Sequence, residues 1–257
     1  MLDTTHHRIS RLALLGALTL PALACDAPGD GALAPDEPRT EPAAAVDPGA
    51  PIEAEGAVAD YFIVTRPDLR KCMSPMCGGH FVARVNTSVT RCADGTWQDE
   101  CHMFELDLSR LRLDRSTAAK VKEAFGAGKA LVRGELGQVK TDPLWPRPAD
   151  VLIASEVWLG ATGKAPEGHF SRVESTGIVC ITSPCPSFSE KSLNTSVSGP
   201  LDSIDLSASG ATPEQVEGGF AALAAGGVLV AGHHTVITGP AGSMNGLEAV
   251  ELYLPVR

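Results

Sequence analysis

Alternation of hydrophobic and polar residues predicts short β-strands along most of the chain after residue 58. In the segment 102–109, Phe104, Leu106 and Leu108 fall on one face of an extended backbone, as they do in a half-buried strand. The ranges with a strand-like pattern are 60–66, 79–89, 102–109, 129–136, 151–159, 228–237 and 247–256.

Two segments between these strands have the pattern and end signals of helices. The first reads STAAKVKEAFGAG, and we expect it to begin at Ser116 as N-cap and to end at Gly126 or Gly128. The second has an N-cap, a proline at the first helical position, a capping-box glutamine and a terminal glycine pair, which are Thr212, Pro213, Gln215 and Gly226-Gly227.

The elements occur twice in the same order, and two segments make this repetition visible. CMSPMCGGHFVARVNTSV begins at Cys72 and CITSPCPSFSEKSLNTSV begins at Cys180, with the same cysteine spacing and the same closing Asn-Thr-Ser-Val. Weaker matches in the same order pair Tyr61 with His169, Asp107 with Asp205, Phe125 with Phe220, and Glu156 with Glu251. We interpret the pattern as a tandem duplication, with a first β repeat at 58–160 and a second at 161–257.

Each repeat has the element order β-β-β-α-β-β. The sequence therefore predicts an α+β, mainly β protein made of two small antiparallel β units with one helix per copy. Three strands, a helix and two strands is also the element order of an OB-like barrel, although other antiparallel folds share it. About a hundred residues per copy are enough for one hydrophobic core.

The first 25 residues have the features of a bacterial lipoprotein signal peptide. Arg8 and Arg11 precede the uncharged apolar run 12–24, which is too short to span a bilayer as a helix and ends in small residues. The stretch PALAC resembles a lipobox, in which Cys25 would carry the lipid. Lipid anchoring to the membrane of the cell envelope, facing the periplasm or the exterior, is therefore predicted. A plain secretory signal is the alternative.

Residues 26–57 are expected to form a disordered, acidic tether rich in Pro and Ala. They contain no aromatic residue, and their eight Asp and Glu residues against Arg39 supply −7 of the formal net charge of −10. The remainder of the mature chain is only mildly acidic, and no basic stripe is visible in it. Nucleic-acid binding is therefore not expected.

Six cysteines follow the lipobox, and an even number in an exported chain favours disulfide bonds. The second repeat offers only the pair Cys180–Cys185, so Cys72–Cys77 pairs by equivalence if the repeats fold alike. Cys92–Cys101 remains, within a ten-residue insertion of the first repeat. The alternatives are a four-thiolate zinc site made from the two C-x4-C pairs, and thiol redox catalysis, which the C-x4-C spacing does not suit.

Several stretches resemble one known family. They are YFIVTRPDLRKC at 61–72, RCADGT at 91–96, ASEVW at 154–158 and GIVCITSPCPSF at 177–188. These residues are similar to a family of exported bacterial proteins called domain of unknown function 6748, and the resemblance covers most of residues 60–257. It implies secretion, frequent lipoprotein anchoring and structural cysteines. It implies no activity, ligand or catalytic residue.

Candidate metal or acid–base residues are the histidines after the signal peptide, which are His80, His102, His169, His233 and His234. His233 and His234 are neighbours on a predicted strand, so their side chains point to opposite faces. We expect one of them to be exposed and the other packed, with no metal shared between them. The sequence has no nucleophile elbow, H-E-x-x-H, P-loop or dinucleotide motif.

The remaining polar candidates also favour structural roles. Ser187 and Ser189 lie near Glu190 and are expected to be loop hydroxyls beside a disulfide. Carboxylates at alternating strand positions, typical of a solvated sheet face, are Glu105, Asp107, Glu156 and Glu251. Asn86 and Asn194 match a glycosylation sequon, but a bacterial-type signal peptide argues against that modification. We therefore assign no catalytic, cofactor-binding or metal-ligating residue.

These observations predict a non-enzymatic binding or interaction module of the cell envelope. Its partner is expected to be an envelope or extracellular protein, a peptide or a glycan, and an inhibitor-like domain is one version. Disulfide-pinned loops on rigid sheets are suitable contact surfaces. No cofactor is expected. The alternatives are a secreted hydrolase with its site between the repeats, and a metal-binding envelope protein.

Overall fold

The computed structural model describes residues 59–72, 76–140, 148–239 and 242–256. The predicted signal peptide with Cys25 and the predicted tether at 26–57 lie outside these residues. The described residues all belong to one compact unit.

Mainly β structure with two α-helices is observed, as predicted. The strands are β1 (Asp60–Pro67), β2 (His80–Arg84), β3 (Thr90–Arg91), β4 (Trp97–Gln98), β5 (Cys101–Met103), β6 (Glu105–Asp107), β7 (Ala130–Val139), β8 (Ala149–Gly160), β9 (His169–Ser175), β10 (Phe188–Ser192), β11 (Ser198–Leu201), β12 (Ser203–Asp205), β13 (Val228–Gly239) and β14 (Gly242–Pro255). The helices are α1 (Arg115–Gly126) and α2 (Pro213–Ala224).

The strand predicted at 102–109 is broken into β5 and β6 because the chain changes partners at Phe104. Before this residue, Met103 pairs with His80 of β2, and after it, Glu105 pairs with Val151 of β8. The Phe104 amide donates a hydrogen bond to the Asp150 carbonyl at 2.8 Å, so the chain stays bonded through the change. In the second half, β11 pairs with β10 and β12 pairs with β14 in the same way.

These pairings close each half into a ring of strands. In the first half, β1 pairs with β2, β2 with β5, β6 with β8, β8 with β7 and β7 with β1. The second half is paired in the same way: β9 pairs with β10, β10 with β11, β12 with β14, β14 with β13 and β13 with β9. A five-stranded ring with a helix before its fourth strand is what the OB-like prediction describes. The OB-like assignment itself stays an interpretation of strand order.

Each ring encloses its own hydrophobic core, and the helix covers it. Val121 and Phe125 of α1 are buried in the first core, and Leu223 of α2 is buried in the second. The predicted match of Phe125 with Phe220 is wrong, because Phe220 is 47% exposed. Both helices are twelve residues long, and the position of Phe125 within α1 is that of Leu223 within α2.

The helix starts follow local chemistry. The capping box predicted for α2 is present, with the Thr212 and Gln215 side chains each bonded to the other's backbone amide. The N-cap predicted for α1 is wrong by two residues. Asp114, rather than Ser116, is the N-cap, and its Oδ1 accepts hydrogen bonds from the Ser116 and Thr117 amides at 2.8 and 3.1 Å. The hydrogen bond that the Thr117 hydroxyl donates to Asp114 contributes most to lowering the pKa of Asp114, and the hydrogen bonds from the two amides add to it, so this pKa lies well below its usual range.

A third hydrophobic cluster joins the halves. β8 pairs with β14, so one sheet continues from the first ring into the second. Outside both rings, buried side chains from the two halves pack together, namely Tyr61, Val85, Leu131, Trp158, Leu193, Leu229, Ala231 and Tyr253. We call this set the joint core. Each half therefore buries hydrophobic side chains in two places: in the core of its own ring and in the joint core, which it shares with the other half.

Two asparagines bond the halves to each other. The Asn86 side chain bonds the backbone amide and carbonyl of Phe170 in β9, at 2.9 and 2.6 Å. The Asn194 side chain bonds the amide and carbonyl of Tyr61 in β1, at 2.7 and 2.8 Å. Tyr61 therefore corresponds to Phe170, and the predicted match of Tyr61 with His169 is wrong by one residue. Such a shift exchanges the two faces of a strand.

Candidate functional site

An open groove of about 1250 Å³ lies between the two halves. Its first-half residues come from β1, β2, β7, β8 and the hairpin of the insertion, and its second-half residues come from β9, β10 and the turn after β10. The side chains that we use below are Tyr61, Arg84, Arg91, Trp97, Arg133, Glu156, Arg172, Glu174 and Lys191. We call this surface the inter-repeat groove.

Charged side chains on one wall of the groove are held by a network around Glu156. The carboxylate lies 2.6 Å from Arg133 Nη1 and 3.7 Å from Arg172 Nη2, and it accepts a hydrogen bond from Trp158 Nε1 at 3.2 Å. Arg172 also donates to the Tyr61 hydroxyl at 3.3 Å. The bond to Glu156 raises the pKa of Arg133, and burial raises the pKa of Tyr61. The ion pairs of Glu156 therefore hold these charged side chains in place and connect the two halves.

The insertion also lines the groove, where it forms a small hairpin that presents Trp97. Strands β3 and β4 form a separate two-stranded sheet, and the Cys92–Cys101 bond ties its base to β5. Two hydrogen bonds close the turn. The Cys92 amide donates to the Thr96 carbonyl at 2.7 Å, and the Thr96 amide donates to Asp94 Oδ1 at 2.9 Å. Trp97 is 58% exposed, so a large aromatic face is available to a ligand.

The groove has more basic than acidic side chains, in contrast to the acidic chain as a whole. Its lining contains five Arg or Lys residues and four Asp or Glu residues. Its ion pairs join Arg84 to Asp60, Arg133 to Glu156, and Arg172 to Glu156 and Glu174. Arg91 and Lys191 make no ion pair within the part of the chain that the structure describes. Both side chains are exposed.

The six cysteines that the structure describes are paired as disulfides, each within its own half. The bonded pairs are Cys72–Cys77, Cys92–Cys101 and Cys180–Cys185, with Cα–Cα distances of 5.4, 5.3 and 5.7 Å. The alternative of a four-thiolate zinc site is therefore wrong, because the C-x4-C sulfurs are bonded to each other. Disulfides persist in oxidising compartments, so they indicate a location outside the cytoplasm.

Two of the candidate histidines lie beside carboxylates. His102 Nε2 is 3.3 Å from Asp68 Oδ2 and 2.8 Å from the Gly78 carbonyl. Arg70 binds both oxygens of Asp68 at 2.8 and 2.9 Å and holds the pKa of this buried carboxyl well below its usual range. Asp68 and its partners thus fix the two ends of the Cys72–Cys77 loop, and the carboxylate is enclosed.

The second histidine belongs to a serine–carboxylate–histidine chain, but in an order unsuited to catalysis. Ser171 Oγ bonds Glu190 Oε1, and His234 Nε2 lies 2.7 Å from Glu190 Oε2. In a hydrolase triad the histidine stands between serine and acid and takes the serine proton. Here Glu190 stands between them and Ser171 is buried, so its hydroxyl has neither a histidine base nor access to a substrate.

The other histidines do not converge on a site either. The prediction that one of His233 and His234 is packed is wrong, since both are exposed on the outer part of β13. The rings of His169 and His234 are 6.2 Å apart. The His80 imidazole is partly buried, which lowers its pKa. Within the described ranges, no three His, Cys, Asp or Glu side chains are grouped closely enough to hold a metal ion.

The remaining candidates stabilise the fold. Glu105 pairs with Lys122 at 2.6 Å, Asp107 accepts from the Ser109 amide at 2.8 Å, and Ser187 Oγ lies 3.4 Å from Cys185 Sγ. Glu251 is buried, and it accepts hydrogen bonds from the amides of Thr162 and Lys164, both at 3.0 Å. Glu156 and Glu251 occupy matching strand positions but hold different partners. The prediction that Glu251 lies on a solvated sheet face is wrong, because this side chain is buried.

Sequence reasoning missed the groove residues Trp97, Arg133 and Arg172. Trp97 carried one usable signal, because it lies in the insertion that interrupts the repeat. The arginines carried none, since their importance comes from the packing of the halves.

The part of the chain that the structure describes contains no helix long and apolar enough to cross a membrane. No curated protein and no solved structure matches the chain. A family model described as "Domain of unknown function (DUF6748)" matches residues 61–257. The chain belongs to this family.

Proposed function

We propose that the protein is a non-enzymatic binding module of the cell envelope and that the inter-repeat groove is its binding surface. The observation that carries this proposal is the exposed Trp97, held on a disulfide-tied hairpin beside a groove with basic side chains. Exposed aromatic and arginine side chains are the residue types that dominate binding energies at interfaces. The proposal includes a lipid at Cys25 and a tether at 26–57, which would hold the module close to a membrane.

The chemistry of the groove favours an extended ligand that carries a carboxylate. Trp97 offers a flat face for a sugar ring or an apolar side chain, and Arg91 and Lys191 offer charges that no described carboxylate neutralises. The network around Glu156 keeps Arg133 and Arg172 fixed before binding, which reduces the entropy lost on association. A segment of acidic peptide or of a glycan with carboxylate groups fits these features.

The proposed test is a binding screen with the full chain against immobilised acidic peptides and carboxylate-bearing envelope glycans. Trp97→Ala should weaken any specific binding by about tenfold or more, as expected of a central aromatic contact. Phe220→Ala is the matched control, because Phe220 is an exposed aromatic residue on α2 that does not line the groove. The control should bind as the wild type does.

Two outcomes would contradict the proposal. If Trp97→Ala and Phe220→Ala bind the captured ligand equally well, the groove is not the binding surface. If the bound peptide or glycan is cleaved during incubation, the hydrolase alternative replaces the binding module. Loss of cleavage in Glu156→Gln would then place the reaction in the groove.

A further inference from the structure

The second half carries an exposed apolar tip that the groove does not use. The loop between β9 and β10 exposes Ile178 at 48%, Val179 at 93% and Ile181 at 104% of their surfaces. The outer part of the β13–β14 hairpin exposes Val236 at 69% and Ile237 at 48%. Large aliphatic side chains that are this exposed, and grouped, mark a surface made for contact.

The two segments of this tip lie against each other. A Cβ placed on Gly242, at the end of the hairpin, would be 3.8 Å from Cδ of Pro184 in the loop. At the base of the loop, the Thr176 amide donates a hydrogen bond to the Ser187 carbonyl at 2.9 Å, and the Cys180–Cys185 disulfide crosslinks the middle of the loop. The loop and the hairpin therefore form one surface, which we call the apolar tip.

The apolar tip has no charged side chain. Residues 175–189 and 235–247 contain no Asp, Glu, Lys, Arg or His. Charged or titratable residues appear only at the base, where these segments join the ring, as Glu174, Glu190, His234 and Glu248. This boundary separates a neutral end from a polar base, as expected of a surface that enters a low-dielectric medium.

The first half provides an internal comparison. Its equivalent loop between β1 and β2 contains Asp68, Arg70 and Lys71, and its equivalent hairpin contains Lys140, Asp142 and Arg147. The absence of charge is thus a property of one repeat and not of the shared architecture.

We propose that the apolar tip inserts into the lipid–water interface of a membrane. The large exposed side chains of the tip are aliphatic, and its described segments contain none of the Tyr, Trp or Arg residues that are enriched at protein interfaces. In the described part of the hairpin, β13 pairs with β14 from Leu229 to Gly239, so few of its backbone groups lose hydrogen bonds when water is removed.

The chain that precedes the structure supports a membrane as the occupant. The predicted lipid at Cys25 is separated from β1 by a segment of about 34 residues, for which a flexible chain spans about 30 Å on average. The proposed insertion rests on the lipid included in the proposed function: a ring held at that distance by a lipid at Cys25 stays within reach of the bilayer surface. Insertion of the apolar tip orients the module, with the inter-repeat groove belonging to the part that stays in water.

The test uses tryptophan as a probe of the apolar tip in the full chain. Val179→Trp is compared with Leu69→Trp, which places the probe at an 81% exposed position in the charged loop of the first half. Both variants are mixed with vesicles of phosphatidylethanolamine and phosphatidylglycerol, with or without bromine on the acyl chains. Bromine quenches only tryptophan that enters the acyl region, so an N-terminal lipid that holds both variants at the vesicle does not produce the signal.

We expect bromine to quench the probe at position 179 and to leave the probe at 69 unchanged, after subtraction of the wild-type signal. Adding Ile181→Asp to Val179→Trp should weaken the vesicle binding reported by quenching about tenfold. Equal quenching of the two probes, or none at 179, would overturn the proposal. A concentration-dependent blue shift of the 179 probe without vesicles would also overturn it, because it would show that a second copy of the chain covers the tip.

Discussion

At the scale of single residues, Asn86 and Asn194 show why a repeated motif is present. Both have left-handed backbones, with φ of 58° and 60°, a conformation that asparagine tolerates better than most residues do. Each side chain then reaches across to the opposite half and completes the hydrogen bonding of a strand there. The sequence displays the repeated Asn-Thr-Ser-Val but gives no partner for it, because that partner lies on a distant strand of the other repeat.

Substitution of Asn86 tests this function. Asn86→Asp keeps the shape but removes the Nδ2 donor from the carbonyls of Phe170 and Leu193, and we expect a loss of about 1–3 kcal/mol in the free energy of unfolding. Asn86→Gly should be more stable than Asn86→Ala by about 1 kcal/mol, because only alanine strains the left-handed backbone. Urea unfolding measures both differences.

The control is Asn245→Ala, since the described hydrogen bonds of Asn245 use only its backbone. It should change stability by no more than about 0.5 kcal/mol. An Asn86→Asp chain as stable as this control would show that the bridge contributes little.

At the scale of elements, the sequence predicts correctly those helices and strands whose limits are set by neighbouring residues. Both helices and most strands were found close to the predicted ranges because alternation, caps and terminal glycines act within a few residues. Errors occurred where distant partners decide. One example is the break at Phe104, where the chain stops pairing with β2 and begins to pair with β8. Another is the one-residue shift that makes Phe170 the counterpart of Tyr61.

The capping box of α2 gives a prediction at this scale. Thr212→Ala removes the acceptor for the Gln215 amide, and we expect a loss of about 1 kcal/mol and a Tm lower by about 2–4 °C. Thr212→Ser keeps the hydroxyl and should retain most of the stability. Thermal unfolding followed by circular dichroism compares the two. Equal losses in both variants would mean that the threonine methyl group, and not the cap, is what matters.

At the scale of the whole molecule, the candidate site arises only when the halves meet. Trp97 comes from the insertion, Arg133 from β7, and Arg172 from β9, so the groove depends on three segments that no short window of sequence connects. Periodicity predicts which residues of each repeat are buried. It does not predict which outer faces pack together, because both faces of a central strand can be apolar.

The joint core implies that the halves unfold together. Leu131 and Leu229 are fully buried at matching positions of β7 and β13, and both contribute to this shared cluster. Leu131→Ala and Leu229→Ala should each cost about 2–5 kcal/mol, as large-to-small changes in a packed core do. Each removes contacts from both halves at once, so the wild type and both variants should show one calorimetric transition whose van't Hoff and calorimetric enthalpies agree.

Leu223→Ala provides the comparison, because Leu223 lies in the core of the second ring alone. If the joint core couples the rings, this variant also lowers a single transition, and the first half unfolds at the same temperature as the second. Two separated transitions in Leu223→Ala, with one unchanged from the wild type, would show that the rings are independent domains. The inter-repeat groove would then be a boundary between mobile parts, and its fixed network around Glu156 could not prepare Arg133 and Arg172 for a ligand.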